Sequence, residues 1–513
     1  MKKLLQLTAI LILIVNCNPS CAVDLYDQIE PVNPTEVRTT PQNLIIAAPK
    51  RATLMHNDVH NHYTIAFDRF MQCNVKSAYM NFKILIESVV PNDYSYMQMA
   101  EKMADIGLFN LSDLAISKIS DKDISYIIID DVKRYYFPSK KLKREDEVYL
   151  AEVYSNIIFN DQSREATGEL VKNASLLAES DYANYVAALG NLKSGSIPDA
   201  EKYIDAAINM NSQNLNYKKL KAEILAQGKK PQNALRIVEY MKQQKLYSSN
   251  FSTKVSSLEQ YILYKTKKNE FQKMYHLGYY YYYENELGKS IRTLQGALST
   301  KKKMNADVYA LMSRVYFDMN EFEKAQDSAL KAYKLDTENP ITLLVLGDLD
   351  YRAKNYKKAL TYYKDAQAKE KNSSLPSIKV AQTYQMLEKE KKALEIYDKI
   401  LKTFADSYFA YYQVALKDKA KEIAYLKKSI AINIAFKDGW IDLGRVELER
   451  HNIDQAKKYL AVAYYIDEND FRYYYYQGLI FKTQGLKEDA NHNFKKSLLL
   501  NPDYEPAKKE LSM

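Results

Sequence analysis

Residues 340–366 read PITLLVLGDLDYRAKNYKKALTYYKDA, and this stretch decides the fold. Gly347 and Ala359 stand twelve residues apart, one in each half of it. Small side chains at such positions let two helices approach closely and cross at a shallow angle. Larger residues such as Leu343, Leu346 and Tyr363 flank them and fill the remaining space. The stretch therefore predicts a helical hairpin.

The same pattern recurs along the chain with a period of about 34 residues. The second-helix alanines form three series: Ala166, Ala200 and Ala234; Ala325, Ala359 and Ala393; Ala456 and Ala490. Twelve residues before most of them stands another small residue, namely Ala188, Ala222, Ser313, Gly347, Ala381, Gly444 or Gly478. A fixed period of this length indicates a repeat architecture. Because one hairpin cannot bury its apolar face alone, successive hairpins must stack around a continuous core.

The repeat resembles the tetratricopeptide repeat, whose signature runs W-x2-L-G-x2-Y, then Ala, Phe and Pro. The unit that begins at Phe471 carries this signature as Gly478, Phe481, Ala490, Phe494 and Pro502. The resemblance covers most of residues 59–505, and it is stronger over 271–505 than over 59–248. It implies an all-α fold, an α-solenoid of about ten to twelve hairpins that winds into a right-handed superhelix and binds other proteins.

The spacing also predicts the domain boundaries. A degenerate N-terminal array is expected over 59–248, an extra helix and junction over 249–270, a C-terminal array over 271–505 and a capping tail over 506–513. The distance from Ser112 to Ala166 exceeds one period by about 20 residues, which corresponds to one further helix with its loop. The hairpin near 408–436 is instead about five residues short.

The N-terminus has the pattern of an export signal. Lys2 and Lys3 precede an apolar run over 4–15, and Ser20-Cys21-Ala22 supplies small residues for cleavage before Val23. Residues 1–22 are thus expected to be a signal peptide, with a lipid anchor less favoured, and 23–55 a flexible segment containing proline. No later run reaches about 18 apolar residues, so no integral membrane span is expected after signal removal, and a periplasmic or extracellular location is predicted.

Composition excludes several classes of function. Removal of Lys2 and Lys3 lowers the net charge from +9 to +7 with no concentrated basic tract, so nucleic acid is not an expected partner. Nucleotide-binding, hydrolase and zinc-protease motifs are absent, and the chain has only 13 glycines and six histidines. His56, His60 and His62 lie close together, but solvated residues at a helix start are favoured over a metal site. The prediction is that the protein is not an enzyme and has no cofactor or metal.

The resemblance also implies where a partner would bind. In the family, first helices line the concave face through the second, fifth, ninth, twelfth and thirteenth positions of each unit. Those positions give the candidate partner-binding residues: Tyr275, Tyr279, Tyr282, Tyr283, Arg314, Phe317, Asp348, Tyr351, Arg352, Gln382, Arg445 and Tyr475. Aromatic and arginine side chains are common binding anchors. The alternative is that the tyrosines serve only in packing or reflect codon usage.

These patterns predict an exported, non-catalytic scaffold that binds a protein or peptide partner. The Lys and Asn with which some family members grip a C-terminal carboxylate are missing from the units beginning at 271, 306 and 340, so a cytosolic chaperone adaptor is not expected. An alternative is a subunit of a cell-envelope biogenesis or polysaccharide-export assembly. Self-assembly through the ends of the solenoid also stays open.

Overall fold

All regular structure in the part of the chain described here is helical. The structure is a computed structural model, and it describes residues 57–244, 249–300 and 305–512. These ranges hold 28 α-helices, one π-helical turn at Leu85–Val89 and no strand. The predicted signal peptide and the segment 23–55 lie outside them. The all-α solenoid expected from the repeat period is confirmed.

Helices pair into hairpins in chain order. The N-terminal helices are α1 (Asn57–Met71), α2 (Val75–Ile84), α3 (Asp93–Asp105), α4 (Phe109–Lys118), α5 (Lys122–Tyr136), α6 (Arg144–Phe159), α7 (Ser163–Lys172), α8 (Ala174–Glu179), α9 (Asp181–Lys193), α10 (Ile197–Met210), α11 (Leu215–Gln227), α12 (Pro231–Gln243) and α13 (Ser249–Thr266). Among them, α5, α8 and α13 stand outside the hairpin pairs.

The second half is more regular. Its helices are α14 (Glu270–Tyr283), α15 (Leu287–Thr300), α16 (Ala306–Asp318), α17 (Phe322–Leu335), α18 (Pro340–Arg352), α19 (Tyr356–Lys369), α20 (Leu375–Met386), α21 (Glu390–Thr403), α22 (Tyr408–Ala415), α23 (Glu422–Ile432), α24 (Lys437–Glu449), α25 (Ile453–Ile466), α26 (Phe471–Thr483), α27 (Lys487–Leu500) and α28 (Glu505–Ser512). Hairpins pair them in order up to α27, and α28 follows as a single helix. Each second helix packs on the first helix of its own hairpin and on the helix that follows it.

Close approach within a hairpin depends on the small residues. A Cβ atom added at Gly347 would lie 2.5 Å from Cε1 of the buried Tyr363. Where serine replaces the second-helix alanine, its hydroxyl donates directly to the first helix: Ser290 Oγ to the Gly278 carbonyl at 2.8 Å. The two small positions therefore face each other, and a large residue one turn later in the second helix fills the remaining space.

The turn inside each hairpin has a fixed geometry. A left-handed residue stands at the fifteenth position of eleven hairpins, where it reverses the chain between the two helices. These residues are Cys73, Gly107, Asp161, Gly195, Lys229, Asn285, Asn320, Lys354, Glu388, His451 and Gly485. No other described residue has positive φ. The shortened hairpin α22–α23 is the twelfth, and it has lost this turn.

Helix starts are set by local side chains. Asparagine caps recur, as where the side chain of Asn339 accepts a hydrogen bond from the Thr342 amide at 3.1 Å, and Asn305 does the same for Val308. Such caps satisfy one of the amides that a helix start leaves unpaired. They are compatible with the short polar loops that join successive hairpins.

Candidate partner-binding face

The structure divides the twelve predicted residues by exposure. Four are buried: Tyr282 with 0% of its surface exposed, Arg314 with 6%, Asp348 with 6% and Gln382 with 8%. Seven are half-buried: Tyr275, Tyr279, Tyr283, Phe317, Tyr351, Arg445 and Tyr475. Arg352 is exposed. The expectation that the first four present a free contact surface is therefore wrong, whereas the other eight predicted residues keep part of their surface exposed.

Arg314 links three consecutive first helices. Its Nη2 lies 2.9 Å from Asp318 Oδ1 in the same helix, α16. Its Nη1 lies 3.3 Å from Asp348 Oδ2 in the following first helix, α18. The hydroxyl of Tyr282 in the preceding helix α14 donates to Asp318 Oδ2 at 2.9 Å. Burial raises the pKa of Asp318, and the neighbouring guanidinium of Arg314 opposes that rise.

Asp348 extends this network to the next hairpin. Its Oδ1 accepts a hydrogen bond from the Tyr363 hydroxyl at 2.7 Å and lies 2.8 Å from Lys379 Nζ in α20. The network therefore joins α14, α16, α18 and α20. We call it the polar ladder, and its members are Tyr282, Asp318, Arg314, Asp348, Tyr363 and Lys379. The network contains two carboxylates, Asp318 and Asp348, and two cations, Arg314 and Lys379, so its net charge is zero.

Arg314 and Asp348 are buried because adjacent repeats bring equivalent positions together, while Asp318 and Lys379 are half-buried. Arg314 and Asp348 are one repeat period apart, so they occupy the same position in neighbouring units. Removing either ion alone would leave the other desolvated, which is costly in a protein interior. The ladder therefore fixes the relative placement of four first helices.

A tyrosine cluster lies at the N-terminal end of the ladder. The rings of Tyr279 and Tyr283 stack with centroids 5.7 Å apart, and Tyr275 meets Tyr279 edge-on at 5.6 Å. All three side chains keep part of their surface exposed. Burial raises the pKa of Tyr279 well above its usual value. The cluster offers aromatic faces together with neutral hydroxyl groups.

Arg352 belongs to a second aromatic group at the hairpin turns. Its guanidinium lies 4.0 Å from the ring centroid of Phe322, in a cation–π arrangement. Phe322 meets Phe317 edge-on at 5.4 Å. These side chains are held by contacts between neighbouring hairpins while Arg352 remains open to solvent.

The predicted residues near the C-terminus are also engaged within the chain. Arg445 contacts three carboxylates: Glu422 at 2.6 Å, Glu449 at 2.7 Å and Asp442 at 3.0 Å. Tyr475 packs edge-on against Tyr504, with centroids 5.2 Å apart. Both side chains are half-buried, so each combines an internal contact with an accessible edge. A role for either in partner binding stays a prediction.

One pair on the first helices was missed by the sequence reasoning. Lys219 and Glu223 occupy the fifth and ninth positions of the unit that begins at Leu215, and Lys219 Nζ lies 2.6 Å from Glu223 Oε1. Asn216 beside them donates to the hydroxyl of the buried Tyr185 at 3.1 Å. The same positional rule, applied to the degenerate N-terminal array, identifies these residues. They extend the candidate face beyond the C-terminal array.

The described ranges lack two features that would suggest another kind of site. Within them no group of three or more histidine, cysteine, aspartate or glutamate side chains is arranged to hold a metal ion. His56 lies outside these ranges, so its pairing with His60 stays untested. Among the described helices, none combines the length and the apolar character that a bilayer span requires.

Comparison with known families agrees with the repeat geometry. Residues 311–374, which cover most of α16 to α19, match the family model of the tetratricopeptide repeat. The chain is a tetratricopeptide repeat protein. The match falls on the two hairpins that carry four of the six ladder residues, and the fifteenth-position turn recurs in hairpins from Asn57 to Leu500.

Solved structures similar to this tetratricopeptide repeat protein are distant. The Cut9–Hcn1 hetero-tetramer of the APC/C has a TM-score of 0.43 at 12% identity over 89% of this chain and 96% of that one. PilW, a type IV pilus biogenesis factor, has 0.34 at 19% over 40% and 98%. A tetratricopeptide repeat protein from Parabacteroides merdae has 0.26 at 14% over 65% and 97%. No curated protein shows significant sequence similarity to this chain.

Proposed function

We propose that this tetratricopeptide repeat protein is a non-catalytic scaffold that binds a segment of a protein partner along its first helices. The tetratricopeptide fold fits a protein-interaction role. The observation that carries the proposal is the tyrosine cluster of Tyr275, Tyr279 and Tyr283, which keeps exposed aromatic surface beside a buried ionic network. Aromatic anchors contribute a large share of binding energy in protein interfaces.

The polar ladder supports this role through rigidity. Because it joins four first helices, the tyrosines do not have to be ordered when a partner binds. Preorganisation of this kind improves affinity by reducing the entropy lost on association. The part-exposed side chains of Tyr275, Tyr279 and Tyr283 give a partner aromatic surface to pack against.

Partner capture at the cluster is the decisive test. A photo-crosslinking amino acid at position 279 is expected to trap one defined protein in the native host. The purified partner should bind the wild-type chain, and Tyr279→Ala should weaken binding by about 1 to 3 kcal/mol, as truncation of an aromatic anchor does. Tyr240→Ala is the matched control, because Tyr240 is an exposed tyrosine on the second helix α12. Equal binding by both variants would contradict the proposal.

Export is proposed on the pattern of residues 1–22. The expected result is a mature chain that begins at Val23 and is recovered from the periplasmic or extracellular fraction. N-terminal sequencing of the protein from the native host checks this. A chain that retains Met1 in the cytoplasmic fraction would overturn it. Crosslinks to envelope-assembly components would support the alternative of an envelope-biogenesis subunit.

A further inference from the structure

Helix α5 connects two distant parts of the repeat array. It is the surplus helix between the hairpins α3–α4 and α6–α7, and it packs on α3 and α11 of its own half. It also packs on α23, which belongs to the C-terminal half. Repeat arrays normally have contacts only between neighbouring units, so this contact needs its own explanation.

The contact has a small apolar centre. Ile127 of α5 is 4% exposed and packs with Ala431 and Ile432 of α23. Tyr408 and Tyr411 of the adjoining helix α22 pack around them. The larger hydrophobic core of the N-terminal half is a separate cluster, and Tyr465 of α25 also packs against it. Opening the contact therefore uncovers this small centre and the Tyr465 contact, but not the clusters at 271–325 and 343–380.

Second helices elsewhere show which surface α5 covers. In α19 the buried residues are Ala359, Tyr363 and Ala366. In α21 the equivalent three positions are buried and no others. By contrast, α23 also buries Ala431 and Ile432, and α25 also buries Tyr459 and Val462. Ile127 packs on Ala431 and Ile432, and Tyr459 donates to Asp121, so these three positions belong to the surface of α23 and α25 that the N-terminal half contacts.

Ionic contacts surround the apolar centre. Lys427 Nζ lies 3.3 Å from Asp121 Oδ2 and 3.1 Å from Asp123 Oδ2. The Tyr459 hydroxyl donates to Asp121 Oδ2 at 2.6 Å. Asp121 also caps α5, accepting hydrogen bonds from the amides of Asp123 and Ile124. One carboxylate thus starts helix α5 and binds it to the distant half.

Water and ions can reach this ionic rim. A polar pocket of about 420 Å³ lies beside it, lined by Asp121, Lys427, Glu447, Arg450 and other polar side chains. Asp123 is itself largely exposed. Salt screens contacts between exposed charges much more than contacts in a dry interior. The rim is therefore the part of the contact that responds to ionic strength.

We infer that α5 is a latch: it holds the N-terminal half against the C-terminal half through α23, and it detaches from α23 while both halves stay folded. Two departures from the repeat period meet at this latch, because the surplus helix α5 docks on the shortened hairpin α22–α23. The occupant of the outer face of α23 is α5 of the same chain. The latch is independent of whether the tyrosine cluster binds a partner.

Hydrogen exchange on the full chain tests the latch, with Lys427→Glu as the principal variant. This substitution places a third acid beside Asp121 and Asp123. Amides of α5 are expected to exchange about tenfold faster, and the radius of gyration from X-ray scattering should increase, while α16 to α19 keep their protection. In the wild-type chain, raising salt from about 0.1 M to about 1 M, which shortens the Debye length from about 10 Å to about 3 Å, should act in the same direction.

Two further variants make the test decisive. Ile127→Asp should open the latch more fully, and Lys391→Glu, at an exposed lysine of α21, should change neither readout. Unchanged protection of α5 in both Lys427→Glu and Ile127→Asp would overturn the inference. Loss of protection in all helices together would also overturn it, because α5 would then belong to a single cooperative core. A dimer formed by exchange of α5 between chains would show that the contact is intermolecular and would contradict it as well.

Discussion

Replacing Asp348 by alanine removes the acceptor that three groups of the polar ladder share. Tyr363 loses its only hydrogen-bond partner in the ladder and is fully buried. Arg314 keeps Asp318 but loses its second carboxylate, and Lys379 loses its contact at 2.8 Å. A buried hydroxyl without a partner costs about 1 to 3 kcal/mol, and a bond lost to a charged group costs about 1.5 to 3 kcal/mol. Together these losses are roughly 2.5 to 6 kcal/mol, which contains the range of about 3 to 5 kcal/mol found when one member of a buried ion pair is removed.

Two companion variants and a double replacement separate the contributions. Tyr363→Phe removes one donor and leaves both cations opposite Asp348, so we expect a loss of about 1 kcal/mol. Asp348→Asn keeps the shape and an acceptor for Tyr363 but not the charge, so its cost should fall between the other two. The double replacement, Arg314→Met with Asp348→Leu, removes both charges and should be less damaging than Asp348→Ala alone.

The assay combines urea denaturation with hydrogen exchange. Circular dichroism gives the change in the free energy of unfolding, but repeat arrays often unfold segment by segment. Exchange rates in α16 to α20 therefore report whether the loss is local to the ladder. Equal destabilisation by Asp348→Ala and Tyr363→Phe would refute the reasoning, because it would mean that the charges are solvated and contribute little.

Two other substitutions test the burial and the turn geometry. Glu147 is fully buried, and burial raises its pKa to about 8 despite hydrogen bonds from Asn110. Because its folded pKa lies above the unfolded value near 4.5, this group stabilises the fold at low pH, and that stabilisation is lost as pH rises towards 8. Glu147→Gln should flatten this fall in unfolding free energy, measured between about pH 5 and pH 8, and an unchanged slope would assign it to other groups. Glu388 has a φ of 58° at a hairpin turn, so Glu388→Gly should stabilise the chain by about 0.5 to 1 kcal/mol in thermal melts. Glu395→Gly, at an exposed position in the interior of α21, is the control and should destabilise by about 1 kcal/mol.

The repeat register could be predicted from sequence because it depends on volume. Gly347 must be small for Tyr363 to lie against its backbone, and the same constraint returns with each repeat. The turn that joins the two helices could not be predicted in the same way. Eight of its eleven left-handed residues, among them Lys354 and Glu388, are not glycine. Packing of the two helices imposes this conformation, and the residue type does not reveal it.

The sequence predicted which helices form the candidate face but not which of its side chains are buried. The positional rule selected Arg314 and Asp348 as groove residues without considering that equivalent positions in adjacent repeats touch. Their opposite charges, one repeat period apart, were the available signal. Where a repeat carries Arg and the next carries Asp at one position, an internal ion pair is the first interpretation to test. Tyr275 and Tyr279 are themselves uncharged, and the equivalent positions of the next unit hold Ala310 and Arg314, so neither tyrosine has a partner for an ion pair there; both keep exposed surface.

The contact between α5 and α23 could not be predicted from the repeat period. A repeat pattern defines only the interface between neighbours, and it is silent on contacts between distant units. The irregularities themselves hold the information. The shortened hairpin α22–α23 has Glu422 where other second helices have a small residue, and Arg445 and Lys419 neutralise it at 2.6 and 2.8 Å. Glu422 therefore places a buried carboxylate where the repeat has a small side chain, and two cations compensate its charge. Because α5 packs on this same hairpin, we attribute the loss of the repeat pattern in α22–α23 to the contact between the N-terminal and C-terminal halves.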